Sequence, residues 1–304
     1  MTSRLILAAL FSVTIMRSAA AQSSSAPVDD PETLCTIRDP RVNEASGIVP
    51  GIRNADVFYV VNDSGGTPDV FAIGRDGAVR GSFRLRAAKN VDWEDLAWAP
   101  PPKADQPHEL CVADIGDNRE ERRSVTIYRF PEPALSESES RTEVAPRAIR
   151  VRYADGPHNA EALVVDPRTG DGYIFTKRDD GRSDAYRLAA GWGAADAPAD
   201  KEVIATRVGE LKLPRELPMR TIVTAADVSA AGDRLAMRSY ATGWEWRATA
   251  GGPGVFELML NAPPSELTLA VEPQGEALCY DRMGRRIHTI SEHTPTAIYS
   301  GKVP

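Results

Sequence analysis

A short signature recurs five times along the chain, and it constrains the fold more than any other feature. The copies are Glu44-Ala45-Ser46-Gly47-Ile48, Glu94-Asp95-Leu96-Ala97-Trp98, Glu161-Ala162-Leu163-Val164-Val165, Ala226-Asp227-Val228-Ser229 and Glu276-Ala277-Leu278-Cys279-Tyr280. They begin 50, 67, 65 and 50 residues apart. A period of this size marks stacked supersecondary units that cannot bury their apolar faces alone. Each copy runs into turn chemistry, clearest at Asp166-Pro167-Arg168-Thr169-Gly170, and then into a strand-like run, in three of the five rich in β-branched and aromatic residues. Those second strands are Val57 to Val61, Glu109 to Ala113, Tyr173 to Thr176, Arg234 to Met237 and Arg286 to Ile290. Third strands follow at Asp69 to Ile73, Val125 to Arg129, Ala185 to Leu188 and Thr296 to Tyr299, and outer strands at Val79 to Leu85, Ala148 to Tyr153 and Glu202 to Val208. No ten-residue window carries a helical stripe.

Repeated strand-turn-strand units without helices predict an all-β fold and a single β-propeller over residues 33–304. Five copies point to five blades, and the two long spacings leave room for a sixth. A β-sandwich is the competing architecture. The last unit stops after three strands, and Leu34-Cys35-Thr36-Ile37 offers the missing outer strand, which would close the ring and remove an exposed edge.

The segment 1–21 has Arg4, a twelve-residue largely apolar run from Leu5 to Met16, and Ala19-Ala20-Ala21, the pattern of a secretory signal peptide. Twelve residues are too few to span a bilayer, so a secreted or periplasmic protein is expected, with no membrane insertion. Residues 22–32 are Ser-, Pro- and Asp-rich and read as a flexible leader. With 36 basic and 43 acidic residues the chain carries a formal charge of −7, which argues against a nucleic-acid partner. Cys35, Cys111 and Cys279 match no zinc spacing and read as small buried hydrophobes.

In a propeller the first strand of each blade lines the channel. The signature therefore sends Glu44, Glu94, Glu161 and Glu276 toward one axis, with Asp227 one position later in the fourth copy. Converging carboxylates must be protonated, paired or neutralised by a cation. Calcium, a hard cation with six to eight oxygen ligands, suits such a set. The alternative is that each carboxylate only accepts backbone hydrogen bonds from a neighbouring blade. The ends of the second strands add Asn62-Asp63-Ser64-Gly65-Gly66, Asp114-Ile115-Gly116-Asp117-Asn118, Lys177-Arg178, Arg238-Ser239-Tyr240 and Ser291-Glu292-His293. Lys177 and Arg238 are candidates to hold an anionic group, and His158 or Asp114 to move a proton. Trp98 is expected on the Glu94 face, Trp93 in packing, and Trp244 and Trp246 at a pocket rim or between blades. No nucleophile elbow, phosphate-binding loop or zinc helix is present in the sequence.

Asn62-Asp63-Ser64-Gly65, Asp92-Trp93-Glu94-Asp95-Leu96-Ala97, Asp114-Ile115-Gly116-Asp117-Asn118, His158-Asn159-Ala160-Glu161-Ala162-Leu163 and Gly275-Glu276-Ala277-Leu278 resemble segments of exported bacterial propellers. The resemblance is to the "esterase-like activity of phytase" family and, more distantly, to the calcium-dependent lactonase propellers. It implies a propeller with axial carboxylates and calcium. The family's propellers are generally six-bladed, against the five signature copies here. Two functions follow as expectations: hydrolysis of a small anionic phosphoester or a carboxylic ester, or capture of a ligand, glycan or protein without turnover.

Overall fold

The computed structural model describes residues 30–136, 139–194, 201–214 and 221–303, so the expected signal peptide and most of the leader lie outside the described residues. The described residues are all-β with one short helix, and their strands fall into antiparallel four-stranded units. The first unit is β2 (Ala45–Pro50), β3 (Val57–Asn62), β4 (Asp69–Gly74) and β5 (Val79–Leu85), with β9 (Ser140–Val144) added in parallel to its outer edge. The second is β6 (Trp93–Ala99), β7 (Glu109–Asp114), β8 (Val125–Pro131) and β10 (Arg147–Tyr153). The third is β11 (Ala160–Val165), β12 (Gly172–Thr176), β13 (Asp184–Leu188) and β14 (Val203–Glu210). Parallel pairing of β10 with β14 joins these two into one eight-stranded sheet. The fourth unit is β15 (Val223–Val228), β16 (Arg234–Ser239), β17 (Gly243–Arg247) and β18 (Ser265–Leu267). In the fifth, β19 (Gly275–Tyr280), β20 (Arg286–Ser291) and β21 (Thr296–Lys302) are completed by β1 (Glu32–Ile37), antiparallel to β21.

The first strands of successive units touch: β2 with β6, β6 with β11, β11 with β15, β15 with β19, and β19 with β2. Each is packed on two sides, and this explains the nearly continuous apolar runs of the signature. In β11, Leu163 and Val165 enter the core shared with the second unit, while Ala162 and Val164 enter the one shared with the fourth. In β19, Leu278 and Tyr280 face the fourth unit and Ala277 and Cys279 the first. A further core, with Val49, Leu96, Leu110 and Phe130, lies between the first and second units. Full burial of such a Leu or Val is worth about 1.5–3 kcal/mol, so the interfaces between units carry the fold. The three cysteines are free and buried, in keeping with their apolar character.

The turns between first and second strands repeat as well. Asp166, Ser229 and Asp281 donate their amides to the carbonyls of Asp171, Arg234 and Arg286. The side chains of the same three residues accept amides of the turn, with Asp281 Oδ1 2.6 Å from Arg285 N. Gly170, at φ +76°, supplies the left-handed residue that the Asp166 turn requires.

Two expectations are corrected and an open one is decided. Glu32 belongs to β1, because its pairing with Ser300 starts one residue before the expected domain boundary. A seven-residue helix, α1 (Val255–Asn261), interrupts the fourth unit, too short to leave a stripe in a ten-residue window. Of the two readings for Trp244 and Trp246, the structure gives packing: they are buried in β17 against Val255 and Met259 of that helix.

Candidate functional site

All five first strands open on an irregularity of one kind. The ladder skips one residue in each, at Ser46, Glu94, Glu161, Thr224 and Glu276. A bulge leaves one side chain unpaired and re-aims it. The equivalent residues are therefore Ser46 and Thr224, with Glu94, Glu161 and Glu276, rather than Glu44 and Asp227. The two hydroxyls donate to the carbonyl just before the next unit's glutamate, Ser46 Oγ to Trp93 O at 2.7 Å and Thr224 Oγ1 to Gly275 O at 3.0 Å. Glu44 lies ahead of β2 and is exposed. The Asp227 carboxylate accepts Tyr280 N at 2.8 Å, a strut between the fourth and fifth units. Asp95, fully buried, does the same between the second and third by accepting Leu163 N at 2.9 Å. Backbone bracing by inner carboxylates thus exists, and two aspartates perform it.

The bulged glutamates meet residues from the ends of the second strands. Carboxylate oxygens of Asp63, Asp92 and Glu94 lie within 4.8 Å of one another. Glu94 is 6% exposed and feels the charge of Glu161, whose Oε1 is 3.0 Å from Lys177 Nζ. Lys177 also hydrogen-bonds the Tyr240 hydroxyl. Glu276 accepts a hydrogen bond from Gln274 Nε2 at 3.1 Å, and Glu292 is close enough to feel the charges of Glu276, Asp63 and Glu44.

Gly116 is the residue that makes room. A Cβ there would stand 2.2 Å from Glu94 Oε1 and 2.4 Å from Asp92 Oδ2, so any side chain would displace both carboxylates. The Gly116 loop is held by Asp117, which accepts Glu121 N and Arg122 N and donates its own amide to Asn159 Oδ1 at 2.8 Å. Arg122 returns to Gly116 O at 2.6 Å and to Asp114 Oδ1 at 2.8 Å, while Asp114 accepts Asp92 N.

Electrostatics follow from burial first and like charge second. Burial, then Glu161, Asp63 and Asp92, hold Glu94 well above the usual carboxylate range, with Lys177 opposing. Burial pushes Glu161 up to about 7 despite Lys177. Glu276 rises to about 7 through burial and Glu161, and Glu292 to about 7 through burial and Glu276. Burial also raises Asp63, Asp92 and Asp114. For Lys177 burial acts downward, but Glu161, Tyr240 and Glu276 outweigh it and keep the ammonium charged.

Two expected site residues lie elsewhere. Arg238 is 1% exposed, with its guanidinium in an ion pair to Glu272 at 2.7 Å and hydrogen-bonded to Ser239 O and Ala277 O. It braces the fourth and fifth units. His158 bonds Tyr186 Oη at 2.7 Å and Asp155 Oδ1 at 3.1 Å, where β13 meets the turn after β10, and its ring packs on Tyr153. Asp114 is tied to Arg122. Of the expected catalytic group, Lys177 alone forms an ion pair with a bulged glutamate, while Arg238 acts on Glu276 through its charge. Asp92 and Gln274 carry roles that the signature did not signal, because both precede the aligned residues by two.

No protein-family model and no curated protein matches the chain.

Proposed function

We propose that the chain is an exported five-bladed β-propeller whose axial carboxylates bind a divalent cation, calcium by its donor set, and that this site hydrolyses an ester or a phosphoester. Support for the propeller comes from five four-stranded units, cyclic contact of their first strands, cores between successive units, and an N-terminal strand completing the last. Support for export is the sequence pattern of residues 1–21.

The observation that carries the cation is the Asp63–Asp92–Glu94 triad, all oxygen donors within 4.8 Å and roofed by a glycine that leaves their oxygens uncovered by any side chain of its own. When bound, the cation supplies charge for a developing oxyanion. Asp63, Asp92 and Glu94 would hold it. Lys177, fixed by Glu161 and Tyr240, binds and orients the substrate's anionic group. Glu276, poised at about 7 and steered by Gln274, takes the proton of the attacking water. A small-substrate panel of phosphoesters and carboxylic esters, run with calcium and with chelator, tests this: calcium-dependent turnover that falls in Glu276→Gln supports it, and absence of turnover rejects catalysis.

One observation favours binding without turnover. Lys177, Arg122 and Arg238 are each already paired with a carboxylate, which suits a cation-loaded recognition site. Turnover in the panel separates the two readings, because a recognition site retains ligand affinity and shows none.

A further inference from the structure

At the far ends of the same first strands lies a second, differently built site. The acidic cluster gathers where β6, β11 and β19 begin. A cavity of about 240 Å³ opens where the first strands finish, lined by Pro50, Ala99, Val165, Asp227 and Tyr280 from all five units. The walls are mainly apolar, and Trp98 contributes its indole with Nε1 turned away to Pro50 O at 2.8 Å. A water molecule occupies roughly 30 Å³ of liquid, so the cavity has room for about eight water-sized groups.

Within this apolar funnel Asp227 is anomalous. Its carboxylate accepts Tyr280 N, yet among the described residues no Lys or Arg pairs with it. The other charges at the cavity differ. Asp281 is tied to the amides of Arg285 and Arg286, and Arg282 and His108 are exposed at the mouth. An ionised carboxylate facing an apolar space is costly unless a cation reaches it. Aromatic faces such as those of Trp98 and Tyr280 add attraction for an organic cation.

We propose that this cavity binds a small organic cation, a primary ammonium on an aromatic or branched aliphatic body, with the ammonium on Asp227 and the body against Trp98. The site is independent of the calcium reading, since it shares no residue with the acidic cluster.

Calorimetric titration of the mature protein with 2-phenylethylammonium tests it, beside 2-phenylethanol as the uncharged isostere. Saturable binding of the ammonium is expected, at least tenfold tighter than the alcohol. Asp227→Asn, which keeps an acceptor for Tyr280 N, should weaken the ammonium at least tenfold and leave the alcohol unchanged. Val228→Trp, on a half-exposed wall of the cavity, should weaken both probes. Chelator should change none of these affinities. Absence of saturable binding, equal affinity for ammonium and alcohol, or an Asp227→Asn protein that folds and binds as wild type would overturn the proposal. The comparison of the two probes on wild-type protein decides the matter even if a variant fails to fold.

Discussion

Gly116 and Glu94 compete for the same space: a Cβ on residue 116 would stand 2.2 Å from Glu94 Oε1. This contact joins the second-strand ends to the bulged first strands, and any larger residue at 116 must push the Glu94 and Asp92 carboxylates aside. Gly116→Ala should therefore cost about 1–3 kcal/mol, the usual range for overpacking. It should also shrink the calcium-dependent rise in melting temperature, because Asp92 and Glu94 must both move. Urea unfolding and thermal melts with and without calcium check the two effects separately.

Arg238→Met leaves Glu272 as an uncompensated buried charge, and Glu272 Oε1 already lacks a hydrogen-bond partner. A loss of about 3–5 kcal/mol is expected. Calcium affinity, measured below the unfolding transition, should stay within twofold of wild type. A variant with normal stability and lost affinity would return Arg238 to the functional site.

Acid should stabilise the metal-free protein. Glu161, Glu276 and Glu292 titrate near 7 when folded, whereas an unfolded glutamate titrates near 4.5. Between those values the folded chain binds more protons, so the stabilisation is full below about 4.5 and lost as pH rises through about 7. Asp39, Asp69 and Asp155 are shifted downward and act in the opposite sense at lower pH, and buried His288, lowered to about 4, opposes as one group between about 4 and 6.5 against the three glutamates. Calorimetric melts in chelator should show the transition temperature falling between pH 5 and pH 8, with calcium restoring it at pH 8. A flat or rising profile is the contrary result.

Lys177→Met separates the ammonium's two effects. Removing a positive charge from beside Glu161 should raise apparent calcium affinity several-fold, while turnover of an anionic ester should fall at least tenfold. Equal losses of both would mean that Lys177 merely supports the packing of Glu161.

The fold was more legible than the site. Strands such as β3 announced themselves through β-branched and aromatic runs, and the signature marked all five first strands, because a strand packed on two sides needs an unbroken apolar sequence. The register was less accessible. Glutamate matched glutamate at Glu44, whereas the bulge places Ser46 beside Glu94 and Thr224 beside Glu276, and alternation cannot reveal a skipped residue. Lys177 and Asp63 were found as charges at strand ends. The sealing of Arg238 was hidden, since Glu272 lies 34 residues away in sequence. His158 was drawn to Tyr186 by side-chain partners that no local motif encodes.

Calcium titration of the chelator-treated mature protein, followed by calorimetry at pH 7.5, tests the central claim most directly. Saturable binding with proton release is expected, because cation entry ionises carboxyl groups that the fold holds partly protonated. A loss of at least tenfold in affinity is also expected for Asp63→Asn, Asp92→Asn and Glu94→Gln, with Glu44→Gln close to wild type. No heat of binding, or an affinity that none of the three triad substitutions changes, would contradict that claim.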